Sequence, residues 1–135
     1  MKKLLDTCTI SEMKKSKPDP KVTDWIYRAA DVDLYLSVVT VGEICKGIEK
    51  QRAKNVDDAQ RLTEWLENLK THYAARILPL DLAAAQIWGR LMAQFPSSGV
   101  EDAQIAAIAM QHGMTVITLN VRDFAPFGVP IINPF

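Results

Sequence analysis

The sequence predicts an α/β protein: a mostly parallel sheet covered by helices on both faces. Three observations carry this. Short apolar runs alternate with longer stretches of helical period along the whole chain. Good helix-start residues stand ahead of those stretches. The run from Gly99 to Phe124 contains the repeating unit in full: a helix, a glycine stop, a buried strand and a polar loop. In it, Ser98 and Glu101 have capping-box spacing. Ile105, Ala106, Ile108, Ala109 and His112 set the period, and Gly113 ends it. Met114 to Leu119 is the strand; Asn120 and Asp123 fall just beyond it.

In chain order, Lys3 to Leu5 is the first strand, with Asp6 at its end. Thr9 and Glu12 suggest a capping box opening a short helix. Asp19-Pro20 supplies a cap and a first-turn proline for a helix to about Ala30, burying Val22, Trp25 and Ile26. Leu34 to Val39 is the second strand. Thr40 is expected to cap a helix reaching Arg52, with Glu43 at its third position. Asn55 caps the next helix, whose stripe is Ala59, Leu62, Trp65, Leu66, Leu69 and Tyr73. Ile77 to Leu80 is a brief strand. Asp81 caps a helix turning Ala84, Ile87, Trp88, Leu91 and Phe95 inward, and Ile131-Ile132 is the last edge strand.

The 135 residues favour one domain spanning 1–135. Net charge is zero, which argues against a broadly basic nucleic-acid binder. The charge is uneven: residues 1 to 54 hold 11 Lys and Arg against 8 Asp and Glu, and the remainder 5 against 8. Cys8 and Cys45 make neither a zinc pair nor a disulfide framework, and read as free thiols of a cytoplasmic protein. Asp6 interrupts any signal-peptide core, and the uncharged run Ala103 to Val121 is too polar to span a membrane.

Four acids stand where elements begin or end: Asp6, Glu43, Asp102 and Asp123. Taken singly, each has an ordinary explanation as a turn residue, a cap or a first-turn charge. Taken together, they fall on the edge where the carboxyl ends of parallel strands open a ligand crevice. Converging carboxylates need protons or a cation. Oxygen donors without His or Cys select a hard ion such as Mg²⁺ or Mn²⁺. Such an ion points to metal-assisted phosphodiester hydrolysis. Thr7, Thr118 and Asn120 are candidates for supporting hydrogen bonds, and Lys46 and Lys50 for backbone contacts. His72 and His112 have no metal spacing.

These residues resemble PIN-domain ribonucleases, specifically the toxins of VapBC-type toxin–antitoxin pairs. The resemblance rests on Leu4-Leu5-Asp6-Thr7, Ile10-Ser11-Glu12, Glu43, Asp102 to Ala107, and Thr118-x-Asn120-x-Arg122-Asp123-Phe124. It implies a three-layer α/β/α, Rossmann-like fold with about five parallel strands. It implies a Mg²⁺- or Mn²⁺-dependent endoribonuclease with Asp6, Glu43, Asp102 and Asp123 as metal-binding acids. Thr7, Thr118 and Asn120 become their polar support. It further implies a homodimer, an RNA substrate and a cognate antitoxin covering the site, with operator DNA reached only through that antitoxin. One position departs: the family often has asparagine where this chain has Cys8. A thiol lacks that amide's two donors.

Two other classes fit poorly. A phospho-receiver domain needs adjacent acids after strand one and a late lysine, and no lysine follows Lys70. A haloacid-dehalogenase-type phosphatase needs Asp-x-Asp where the chain has Asp6-Thr7-Cys8. The remaining alternative is a catalytically silent partner that keeps the fold.

Overall fold

A computed structural model describes residues 1–135. Its strands are β1 (Lys3–Leu5), β2 (Leu34–Ser37), β3 (Ile77–Leu78), β4 (Thr115–Ile117) and β5 (Ile131–Ile132). Its helices are α1 (Thr7–Glu12), α2 (Pro20–Arg28), α3 (Val38–Arg52), α4 (Val56–His72), α5 (Leu82–Gln94), α6 (Val100–His112) and α7 (Val121–Phe124). The strands form one sheet, ordered β3-β2-β1-β4-β5, and every pairing is parallel. The carboxyl ends of all five therefore open on the same edge.

Strand alternation sorts the core into two layers. Leu4 and Val116 face one way, into a cluster with Ala103, Ile105, Ile108, Leu91 and Phe124 from α5, α6 and α7. Leu5, Leu34, Leu36 and Ile117 face the other way, against Ile10, Ile44, Ile48, Leu62, Leu66 and Leu69 from α1, α3 and α4. Trp25 and Ile26 of α2 pack on this second layer. This is the expected three-layer α/β/α arrangement. No helix is long and apolar enough to cross a membrane.

The expected caps hold at Asp19, Asn55 and Asp81, whose side chains accept from Lys21 N, Asp58 N and Ala84 N. Gly113 ends α6 with φ 64°, the left-handed region that glycine enters without steric cost. Met114 N then reaches back to Ala109 O at 2.9 Å.

Three other helix starts differ from expectation. Asp6, not Thr9, caps α1, accepting from Thr7 N; Thr9 lies inside the helix and donates to Ile117 O at 2.8 Å. Glu12 closes the next loop instead, accepting from Asp19 N at 2.8 Å. Ser37, not Thr40, caps α3 and accepts from Thr40 N at 3.1 Å, so β2 ends two residues early. Ser98 belongs to a turn, its N–H bonded to Phe95 O, and α6 starts from Gly99 with no side-chain cap. β1 and β5 have the expected bounds, β2, β3 and β4 are shorter than their apolar runs, and α2 stops at Arg28. His112 is exposed, so α6 is carried by its alanines and isoleucines alone. The polar loop after β4 winds into the single turn α7.

Candidate active site

The four acids reach the common edge from four helices and helix starts. Asp6 is the residue between β1 and α1, and its cap bond holds Oδ1 2.8 Å from Thr7 N. Glu43 lies in the second turn of α3, Asp102 in the first turn of α6, and Asp123 in α7 just past β4. The revised start of α3 removes the capping box that would have explained Glu43. Its Oε1 accepts from Thr7 Oγ1 at 2.7 Å instead.

Polar side chains behind the acids hold them in place. Thr118 is fully buried and donates to Asp6 Oδ2 at 2.8 Å; it accepts from Asn120 N at 2.9 Å. Thr7 also bonds Thr40 Oγ1 at 3.0 Å, and Ser37 bonds Thr40 in turn at 3.3 Å. These two buried hydroxyls were not expected at the site, because the misplaced cap assigned Thr40 elsewhere. Thr7 and Thr118 thus fill the supporting positions. Asn120 contributes its backbone N–H, while its side chain is not engaged in capping α7.

Cys8 fills part of the asparagine's place. Its Sγ donates to Asp6 Oδ2 at 3.4 Å, accepts from Leu119 N at 3.5 Å and lies 3.4 Å from Thr118 Oγ1. A thiol is a weak donor, so Thr118 carries most of the hold on Oδ2. Burial and the neighbouring Asp6 charge push the Cys8 thiol up, which keeps it protonated as a donor.

The electrostatics tie the acids together. Burial first, then repulsion from Asp6, Asp123, Glu43 and Glu101, raises Asp102 from 3.8 to about 6. Burial raises Asp6, against bonds from Thr118, Thr7 and Cys8; Asp123 adds repulsion. Burial also raises Glu43, opposed by the Thr7 bond, with Asp6 and Glu101 adding repulsion and Lys46 attraction. Carboxylates held near one another against their own repulsion invite a cation. As the side chains stand, no three His, Cys, Asp or Glu are gathered into a group that could hold a metal ion. The side chains at this edge offer carboxylate oxygens, the donor chemistry of an ion such as Mg²⁺, which keeps several waters and takes one or two carboxylates.

A parallel α/β sheet with acids at its carboxyl edge, Asp6 buried, Glu43 and Asp102 part-buried and Asp123 exposed, defines the class: an acid-edged α/β protein. The comparisons then give the family. Residues 3–127 match the PIN domain, and the chain belongs to that family. It is 37% identical to the VapC ribonuclease Y4jK of Sinorhizobium fredii, over 98% of this chain and 96% of that one. It is 35% identical to the toxin FitB of Neisseria gonorrhoeae, over 98% and 97%. The crystal structure of gonococcal FitAcB superposes with a TM-score of 0.87 at 34% identity, covering 98% of this chain and 97% of that one.

Proposed function

We propose that this protein is the toxin of a type II toxin–antitoxin pair and acts as a divalent-metal-dependent endoribonuclease. One observation carries the reading: the parallel sheet brings Asp6, Glu43, Asp102 and Asp123 to one edge, where burial first, and then the charges of Asp6, Asp123 and Glu43, raise Asp102 to about 6. Family membership and the ribonuclease and toxin names of its relatives support the same reading.

Asp6, Glu43, Asp102 and Asp123 are the residues that would hold Mg²⁺ or Mn²⁺. When bound, the ion supplies a water activated for attack and charge to stabilise the leaving oxygen. Thr118 and Cys8 orient the Asp6 carboxylate, and Thr7 orients Glu43. The acids themselves repel a phosphodiester, so RNA approaches productively only when their charge is neutralised. The partners we infer are an RNA substrate, a second copy of this chain, and an antitoxin through which operator DNA is reached. The compartment is the cytoplasm and residues 1–135 act as one domain.

The test is cleavage of single-stranded RNA with Mg²⁺ or Mn²⁺, comparing the unaltered chain with Asp6→Asn and Asp102→Asn. Both variants lose cleavage while keeping the fold. Full activity in Asp6→Asn overturns the residue assignment. An unaltered chain that binds an antitoxin yet cleaves nothing leaves the catalytically silent reading in its place.

A further inference from the structure

The largest hollow in the molecule does not lie over the acids. It is a space of 480 Å³ between α2 and the C-terminal tail, lined by Lys3, Lys21, Asp24, Trp25, Arg28 and Asn133, with Pro134 closing it. That volume lies in the range that accepts a small ligand or one unit of a polymer. Its charge is unbalanced. Asp24 is paired with Arg28, Nε to Oδ2 at 3.0 Å. Neither Lys3 nor Lys21 pairs with any carboxylate. The Lys3 ammonium donates to Met1 O at 3.2 Å and stands 5.9 Å from the Trp25 ring centroid, a cation–π distance that holds it toward the hollow.

The hollow adjoins the acid edge through the sheet. Ile132 O accepts from Thr118 N at 3.0 Å, and Thr118 holds Asp6. Asn133 and Pro134 come directly after Ile132. This wall stands two strand spacings, roughly 10 Å, from the end of β1. The next tail residue, Phe135, lines a second hollow with Cys8, Ser11, Glu12, Lys14, Lys15 and Leu119, in which Lys15 is paired with Glu12 at 2.8 Å. The tail thus parts two hollows, with Lys14 outside any ion pair in the smaller one and Lys3 and Lys21 in the larger.

We propose that this hollow is an anion-binding subsite for the RNA backbone, holding a phosphate away from the scissile one on Lys3 and Lys21, with Arg28 at its rim. The inference rests on the nuclease reading for its substrate. A chain of zero net charge whose catalytic acids repel phosphate needs its affinity from local cations. Unpaired ones in a hollow that runs from Lys3, at the amino end of β1, to the tail at Asn133 supply it. A polyanion running past that tail uses both hollows, whereas an isolated carboxylate uses one.

The experiment is anisotropy of a labelled single-stranded RNA, titrated with the full chain in EDTA over a series of salt concentrations. Against the unaltered chain, the double variant Lys3→Gln/Lys21→Gln binds several-fold more weakly. Its log–log salt slope falls by about 1.4, from two lost contacts at 0.7 each. Lys21→Gln alone, at an exposed position, lowers the slope by about 0.7 and guards against misfolding of the double variant. Arg90→Gln, on the opposite layer, binds as the unaltered chain does. Unchanged affinity and slope in the double variant overturn the subsite. So does a double variant that keeps RNA but loses its antitoxin, since the hollow then receives protein. Binding that depends on these lysines in a chain that cleaves nothing with Mg²⁺ or Mn²⁺ supports the subsite and overturns the nuclease reading.

Discussion

Thr7 and Glu43 are joined by a 2.7 Å hydrogen bond across 36 residues of chain. It connects the first turn of α1 to the second turn of α3, and so couples the end of β1 to the helix that follows β2. Thr40 and Ser37 extend it into the buried layer. The hydroxyls fix the Glu43 carboxylate from behind and leave its other oxygen free.

Thr7→Val removes this donor while keeping the side chain's shape. The half-buried Glu43 carboxylate then loses its only side-chain partner, at a cost of about 1 kcal/mol. Cleavage falls by roughly 10- to 100-fold, the usual effect of losing a ligand's supporting bond. Thr7→Ser restores the hydroxyl and most of the activity. Activity kept in Thr7→Val and lost in Thr7→Ser would show that the methyl group, not the bond, matters. Steady-state cleavage and thermal melts separate the two effects.

Asp102→Asn makes the protein more stable near neutral pH as it abolishes cleavage. The native carboxyl titrates at about 6 against an ordinary 3.8. The folded state therefore binds this proton more tightly than the unfolded chain. Stability from that proton appears as pH falls from about 6 toward 3.8, and above about 6 the charged group costs stability. Each tenfold difference in proton affinity between the two states corresponds to about 1.4 kcal/mol. The site is half open to solvent, which screens it. The gain from removing the charge is then on the order of 1 kcal/mol, or roughly 3–5 °C in Tm. Melts across the pH range check it: the gain shrinks to nothing near pH 4.

Much of this arrangement can be read from residue patterns alone. The alternation of strands and helices follows from short β-branched runs between amphipathic stretches, and Asp19, Asn55, Asp81 and Gly113 mark their helix ends by side-chain chemistry that needs no tertiary context. The starts at Asp6, Ser37 and Gly99 do not yield to the same reading. Each has a capable residue close by, and the choice depends on where the sheet releases the chain. Ser37 is still bridged to Leu78 when α3 begins. The assignment of Thr40 as a cap hid both its contact with Thr7 and the release of Glu43. The grouping of the acids, by contrast, follows from parallel topology, because every strand delivers its carboxyl end to one edge. The basic hollow at α2 depends on a tail folding back, which no local pattern encodes.

Mn²⁺ stabilises the fold through the same acids. Binding the native state at ten times its Kd adds about 1.4 kcal/mol, a Tm rise of a few degrees. Asp6→Asn removes the rise, and acid removes it too, because protonated Asp102 no longer attracts the ion. A rise that persists undiminished in Asp6→Asn places the ion elsewhere.

The two cysteines differ in reactivity. Cys45 is exposed, while Cys8 is part-buried and its thiol is pushed up by burial and by Asp6. A thiolate-directed reagent modifies Cys45 first and without loss of cleavage. The slower reaction at Cys8 abolishes cleavage, since an adduct there displaces the bonds to Asp6 and Leu119. In Cys45→Ser the slow phase alone remains. Cleavage lost in step with the fast phase would contradict this order. Cys8→Asn, which supplies a stronger donor to Asp6, keeps cleavage and resists the reagent.

Gly99 sits where α6 begins, with φ −63° and ψ 137°, a conformation open to any residue. Backbone freedom is therefore not its role. A Cβ at this position would stand 3.0 Å from Asp102 Oδ2, closer than carbon and oxygen settle without one of them moving. The glycine leaves room for the carboxylate to fold back over the helix start. Gly99→Ala displaces that carboxylate by a few tenths of an ångström. Its effect on stability is under about 1 kcal/mol, because reduced freedom in the unfolded chain offsets a poorer cap. Its effect on function is larger: Mn²⁺ affinity, read from the Tm rise, and cleavage both fall several-fold, since a ligand moved by so little already leaves productive geometry. A Gly99→Ala protein that binds Mn²⁺ and cleaves at the unaltered rate shows that the Asp102 side chain reaches its working position by another rotamer.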